Sequence, residues 1–305
     1  MDYLHKLYAK LNRGPQLKTH AAAALIVLCA YVAMAYTTLS MYGLLHSALL
    51  ALGLVFVAVL VLFTIAFVLS KLLNRLDIVD MTWPLSIMLA AFASFGLNAH
   101  SLGLGWNIQT LVCLLVTIWA LRLALHIGDR LLKTAQDKRY TALQKKWHRA
   151  PSLQAFIRIF VVQALLATSI SIVLLCINLA KPEIFGPIAF AGLVVWCTGF
   201  VFEAVGDWQL ANHRRLHPKT LMTTGLWRYT RHPNYFGESV QWWGIFIIAL
   251  SVPFGWLGVI SPLIITYLLL YISGVPLTEI AFEGRTGWKT YKRRTSAFVP
   301  RIPKA

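Results

Sequence analysis

Charge is what this sequence has least of, and negative charge is scarcer than positive. Only 13% of its 305 residues are Asp, Glu, Lys or Arg, and Lys and Arg outnumber Asp and Glu by 28 to 11. A soluble domain carries roughly 25% charged residues, so a water-facing shell of ordinary composition is excluded. The four cysteines, Cys29, Cys113, Cys176 and Cys197, form no CxxC pair and all fall inside apolar runs. A zinc cluster or disulfide framework therefore has no basis, and they read as small apolar side chains. There is no GxGxxG after a strand, no P-loop, no HExxH and no GxSxG. A Rossmann dinucleotide site and the corresponding phosphate-loop, metalloprotease and hydrolase sites are not expected. No metal site, internal repeat, low-complexity linker or soluble second domain is indicated.

What the chain has instead is apolar length: 58% of its residues are hydrophobic and its mean hydropathy is +0.66. Eight apolar segments stand out, at about 21–39, 44–70, 82–99, 106–127, 155–179, 187–207, 237–252 and 256–276. Runs of this length cross a bilayer as helices. The second is long enough to tilt, and Pro253 with Gly255 predicts a tight hairpin between the last two. With eight spans, the loops 1–20, 71–81, 128–154, 208–236 and 277–305 share one side and hold nearly all the Lys and Arg, whereas the opposite loops hold only Lys181. Shifting the parity by one scatters the cations over both faces, so the positive-inside rule predicts an even count with both termini cytoplasmic. The expected fold is an all-α polytopic membrane protein of about seven to eight transmembrane helices. A basic lead followed by an apolar run and Ala33-Met34-Ala35 also imitates a signal peptide, but residues 1–20 are long for its polar lead. The formal charge of +17 lies beside apolar runs, where cations set orientation and meet anionic lipid. Nucleic acid is not an expected partner.

The densest polar constellation runs from Glu203 to Trp243. Glu203 and Asp207, four residues apart, share a helical face at the cytoplasmic end of the sixth span. Charges at such an edge are either paired or functional, and Arg214 and Arg215 are available partners. Next comes GLWRYTRHPNYFGE (225–238), which sets Arg228, Arg231, His232, Asn234 and aromatics including Trp227 and Tyr235 directly before an apolar span. Pro233 disfavours helix at His232, so Asn234 is expected to open the seventh helix, and a helix N-terminus flanked by Arg is a ready phosphate site. Aromatic faces for rings, cations for phosphates, and the Asn234 amide and Glu238 carboxylate for ribose or carboxamide suit a nucleotide cofactor. The tail adds Glu279, Glu283, Arg285, Trp288, Tyr291, Lys292, Arg293 and Arg294. Composition leaves two options open for it: folding over 208–236 to add phosphate contacts, or binding lipid as a polybasic segment. Elsewhere, Arg122 lies well inside an apolar run and needs a partner, for which Asp80 on the neighbouring helix is the natural candidate.

At these residues the sequence resembles the steroid 5-alpha-reductase superfamily, closest to its uncharacterised bacterial branch. The resemblance is strong over 203–243, through Glu203, Asp207, GLWRYTRHPNYFGE and Trp242-Trp243-Gly244. It is weaker in the tail from Tyr291 to Pro300 and weakest before residue 120. It implies one integral membrane domain in which 1–43 is an extra N-terminal helix, 44–154 supplies substrate-side helices and 155–305 binds NADPH. The implied reaction is hydride transfer to an activated carbon–carbon double bond of a steroid-like or fatty-acyl lipid drawn from the bilayer. The cofactor side faces the cytoplasm, at a bacterial inner membrane. On matching positions the resemblance implies cofactor contacts at Asp207, Arg214, Asn234, Tyr235 and Glu238. Glu203, Trp227, Arg228, Arg231, His232, Tyr291, Arg293 and Arg294 complete the expected cofactor set, and Asp80, Arg122 and Tyr235 the catalytic set.

The chain departs from the family pattern at Trp119, where the steroid reductases place a tyrosine three residues before an arginine. A tryptophan cannot deliver a proton as a phenol does. RHPNYFG (231–237) also resembles the isoprenylcysteine carboxyl methyltransferases, which bind S-adenosylmethionine there. A methyltransferase, or a lipid-binding relative without catalysis, therefore stands as the alternative.

Overall fold

The computed structural model describes residues 29–99, 105–145, 147–218 and 220–304. Among these residues the regular structure is helical, apart from one isolated bridge between Thr230 and Ser296. In chain order the helices are α1 (29–41), α2 (Leu45–Leu72), α3 (Ile78–Leu97), α4 (Ile108–Lys133), α5 (Lys138–Gln144), α6 (Pro151–Ile170), α7 (Ile172–Asn178), α8 (Pro187–Leu216), α9 (Pro233–Ala249), α10 (Ile260–Tyr267), α11 (Val275–Phe282) and α12 (Trp288–Arg294). Six helical stretches among the described residues are long and apolar enough to cross a membrane: α2, α3, α4, α6, α8 and Gly255–Phe282, which includes α10 and α11. The chain is a multi-pass helical membrane protein. The apolar segment at 237–252 is helical too, as α9, whose 17 residues lie at the lower end of what a span takes. The first predicted segment, 21–39, lies partly outside the described residues.

The described chain forms two compact units. One comprises Ala30–Gly186 with Ala249–Ser261. In it, α2 buries a single stripe, Ala51, Val55, Val59, Phe63, Ala66 and Ser70. Leu54, Val57, Val61, Ile65 and Val68 are left about half exposed. A helix apolar on both its packed and its open face is built for lipid. α3 packs between α2 and α4, and amide side chains tie residues 178–181 to α3 and α4. Asn178 Nδ2 donates to Ser94 Oγ (2.8 Å) and Ala91 O (3.0 Å), Asn98 Nδ2 donates to Ala180 O (3.0 Å), and Gln109 Nε2 donates to Lys181 O (2.9 Å). The predicted 155–179 segment is not one rod. It contains a π-helical turn at Phe156–Val161 and breaks at Ser171, and Val173 N finds its acceptor in Ser261 Oγ at 3.0 Å.

The other unit comprises Pro187–Ile248 with Pro262–Ala305, and its central feature is the seam between α8 and α9. Gly192, Gly199 and Gly206 on α8 meet Gly237, Gly244 and the start of α9. A Cβ on Gly199 would lie 2.6 Å from Gly237 O, and one on Gly244 would lie 2.6 Å from Trp196 N. Backbone therefore packs on backbone, as small residues permit between membrane helices. This close approach brings the polar side chains at the seam within hydrogen-bonding range.

Candidate cofactor site

The segment 225–236 is fixed from both sides. Gly225 has φ +61°, and the Gln209 side chain occupies the space that a Cβ there would need. Gln209 Oε1 accepts from Leu226 N at 3.0 Å, which starts the 3₁₀ turn Gly225–Arg228. Trp227 is buried and donates from Nε1 to Gly206 O on α8 at 3.1 Å. From the other side comes the tail. Tyr291 Oη donates to Trp227 O (2.5 Å), Arg231 N to Ser296 O (2.9 Å), Thr230 Oγ1 to Phe298 O (2.8 Å) and Arg301 N to Tyr229 O (3.0 Å). Of the two options that composition left open for the tail, the structure has it folded over this segment.

Arg231 is the pin of this assembly. It is buried, its Nε donates to Glu279 Oε1 at 3.0 Å, and a second guanidinium nitrogen also donates to Glu279. The remaining one donates to the carbonyls of Lys292 (3.0 Å) and Thr295. Lys292 Nζ lies 2.8 Å from the other Glu279 oxygen. Phe282, Trp288 and Tyr291 form a small apolar core beneath, against Leu221, and Arg231 lies over the Trp288 ring at 5.7 Å. A guanidinium with its donors directed at protein acceptors in this way holds structure together.

Pro233, not Asn234, is the first helical residue of α9. Its fixed φ suits that position and its missing N–H costs nothing there. His232 is fully buried, its ring stacks on that of Tyr235 (5.4 Å, 12°), and neither ring nitrogen has a hydrogen-bond partner among the described residues. Loss of water on burial pushes its pKa down to about 3; Glu279, 3.9 Å from Nε2, acts against that shift and Arg231 with it. The imidazole is neutral at ordinary pH. Tyr235 Oη shares a hydrogen bond with Thr278 Oγ1 at 3.0 Å. Along the seam, Asn234 Nδ2 donates to Asp207 Oδ1 (3.0 Å) and Gln241 Nε2 to Glu203 Oε2 (2.5 Å), while Asn234 Oδ1 and Gln241 Oε1 accept from no described group. Glu238 is buried on the same helix.

Beside this lies a small surface cleft. It is lined by Arg214, Arg285, His213, Leu210, Trp227 and Tyr291, among others. Arg228, Arg293 and Arg294 are exposed, and Arg294 Nε donates to Lys304 O at 3.0 Å. This unit brings together Glu203, Asp207, Arg214, Trp227, Arg228, Arg231, His232, Asn234, Tyr235, Glu238, Tyr291, Arg293 and Arg294.

Asp80 and Arg122 belong to the other unit. α3 begins at Ile78, so Asp80 sits in its first turn. The partners of Asp80 there differ from the expected one. It accepts from Tyr140 Oη (2.6 Å) and Arg139 (3.3 Å) and lies 3.7 Å from Arg130. Arg130 is eight residues beyond Arg122 on α4, about 12 Å further along the axis, and the start of α3 meets that end of α4. The neighbouring Asp77 holds Arg75 through both carboxylate oxygens (3.1 and 2.9 Å) and accepts from Asp137 N (2.9 Å). The two aspartates thus clamp the 134–140 loop to α3. Hydrogen bonds from Arg139 outweigh burial and hold the Asp137 carboxyl below its usual range. Trp119 is buried in α4.

Sequence reasoning missed Gln241, Thr278 and the partnership of Glu279 with Arg231. It also missed the glycine seam, although the seven-residue spacing of Gly192, Gly199 and Gly206, matched by Gly237 and Gly244, is visible in the sequence.

The family described as a protein of unknown function, DUF1295, matches residues 66–295, and the chain belongs to it. The chain is also similar to the uncharacterized protein C594.04c of Schizosaccharomyces pombe, at 24% identity over 264 residues, covering 73% of this chain and 72% of that protein. No solved structure matches.

Proposed function

We propose that the protein is a membrane reductase that uses NADPH to saturate a carbon–carbon double bond of a steroid-like or fatty-acyl lipid. The observation that carries this reading is the docking of the cationic tail on residues 226–231, beside a cleft that joins arginines to the indole of Trp227 and the phenol of Tyr291. The residues present fit a dinucleotide. Cations and aromatic side chains line the cleft, and outside that lining His232, Asn234 and Gln241 carry buried polar atoms without described partners. When bound, NADPH would supply the hydride for one alkene carbon, with a proton going to the other, so that NADP⁺ and the saturated lipid would result.

The chain's own residues divide the work. Arg214, Arg228, Arg293 and Arg294 hold phosphates, joined by Arg285 at the cleft. Asn234, Tyr235 and Glu238 seat the ribose and nicotinamide, with Asp207 and Glu203 orienting Asn234 and Gln241 through their hydrogen bonds. Arg231 holds the tail in place and acts on the cofactor through it. The lipid enters laterally from the bilayer, with Asp80 near its accepting group and Arg122 lying along its path. The basic loops face the cytoplasm, which is where the cofactor is found.

Thermal stabilisation of detergent-purified protein by NADPH, NADH and S-adenosylmethionine at equal concentrations tests this reading, because a ligand that binds only the folded state raises the melting temperature. A shift with NADPH and a smaller one with NADH is expected. A shift with S-adenosylmethionine alone replaces the reductase with a methyltransferase, the reading that RHPNYFG also supports. No shift with any of them favours a lipid-binding protein without catalysis.

A further inference from the structure

The C-terminal segment carries a second chemistry, separate from the residues assigned to the cofactor. The Gly255–Phe282 stretch is long and apolar enough to span a membrane. Its last ring, Phe282, meets Trp288 of α12 with centroids 5.5 Å apart. The tail is thus fixed at the end of a membrane-length helix. Further along, it runs beside Tyr229–Arg231, just ahead of α9, through the Thr230–Ser296 bridge and the Arg301 N to Tyr229 O hydrogen bond.

In this layer three apolar side chains are left in the open: Tyr229 at 43% exposure, Val299 at 49% and Ile302 at 86%. Arg301 and Lys304 flank them, are exposed, and make no ion pair among the described residues. An isoleucine this exposed, between two cations and next to a tyrosine, has the composition of an interfacial anchor. It does not have that of a water-facing tail. We propose that Tyr229, Val299 and Ile302 insert at the membrane surface while Arg301 and Lys304 bind anionic phospholipid headgroups of the same leaflet. Charge complementarity selects this occupant, since each Lys or Arg near an anionic surface strengthens attachment by about fivefold.

The test uses the full chain with exposed Cys29 and Cys197 changed to serine and a nitroxide on Ile302→Cys. It is reconstituted in discs of phosphatidylcholine, with and without phosphatidylglycerol. In discs with phosphatidylglycerol the label is expected to be shielded from an aqueous nickel chelate and accessible to oxygen, and in phosphatidylcholine alone to be more open to nickel. Arg301→Gln with Lys304→Gln should return the first reading to the second. Lys304→Gln alone serves if the double variant is unstable, because the Lys304 backbone carbonyl, not its side chain, accepts from Arg294. Equal readings in the two lipids, or a charge variant that behaves like its parent, overturn the proposal. So does dipolar broadening between two labels in one disc, which assigns the patch to contact with a second copy.

Discussion

Arg231 and Glu279, 48 positions apart in the chain, form a buried ion pair with Nε 3.0 Å from Oε1. Through it one side chain joins the approach to α9, the end of a membrane-length helix and the tail. Replacing Arg231 with methionine leaves Glu279 buried with only half-exposed Lys292 as its salt-bridge cation. A loss of about 3–5 kcal/mol is expected, read as a lower unfolding midpoint together with new protease cleavage in the tail. Lys292→Met removes the more exposed partner and costs under about 1 kcal/mol.

The glycine seam predicts a contrast between two alanines. Gly237→Ala drives a Cβ into the α8 backbone at Glu203 and Gly199 and is expected to cost about 1–3 kcal/mol. Gly53→Ala on α2 meets nothing within 4 Å and should be neutral or stabilising by up to about 1 kcal/mol. Thermal unfolding of both variants in one detergent decides it.

His232 gives the fold an acid sensitivity of definite sign. The unfolded chain takes up a proton near the ordinary value of 6.5, whereas the folded ring does so only near 3. Stability therefore falls as pH falls through that window, by up to about 1.4 kcal/mol per pH unit. His232→Phe keeps a ring against Tyr235 and removes the titration. Between pH 6.5 and 5 the variant should lose about 1.6 kcal/mol less stability than the parent, measured as unfolding midpoints across pH.

Tyr140 and Asp80 separate a stability role from a chemical one. Tyr140→Phe removes the 2.6 Å hydrogen bond to the carboxylate, and a loss of about 1.5–3 kcal/mol is expected. Asp80→Asn, under the proposed reaction, should lower kcat by about a hundredfold or more. Turnover left intact in that variant removes Asp80 from the chemistry.

The membrane helices were legible because an apolar run of about twenty residues has few other uses. Their ends were less so. α3 starts at Ile78 rather than near residue 82, because Asp77 and Asp80 find partners in the 134–140 loop and the end of α4, and those partners are set by tertiary packing. The break at Ser171 is likewise imposed by packing, with Ser261 supplying the acceptor for Val173. Of the candidate site, the segment around RHPNYFG could be singled out by composition. Composition alone does not fix a long-range pairing such as Arg231 with Glu279, nor the packing that gives Asp80 to Arg130 on α4 and Arg139 on α5 instead of Arg122. The glycine seam was written in a seven-residue spacing, a signal that hydropathy does not weigh.

The most direct test of the account is a binding titration of NADPH and NADH onto the parent protein and Arg214→Gln. Saturable binding that favours NADPH is expected, weakened by about tenfold to a hundredfold in the variant through loss of a charge-assisted contact. Absence of saturable NADPH binding, or S-adenosylmethionine binding weakened by the same substitution, contradicts it.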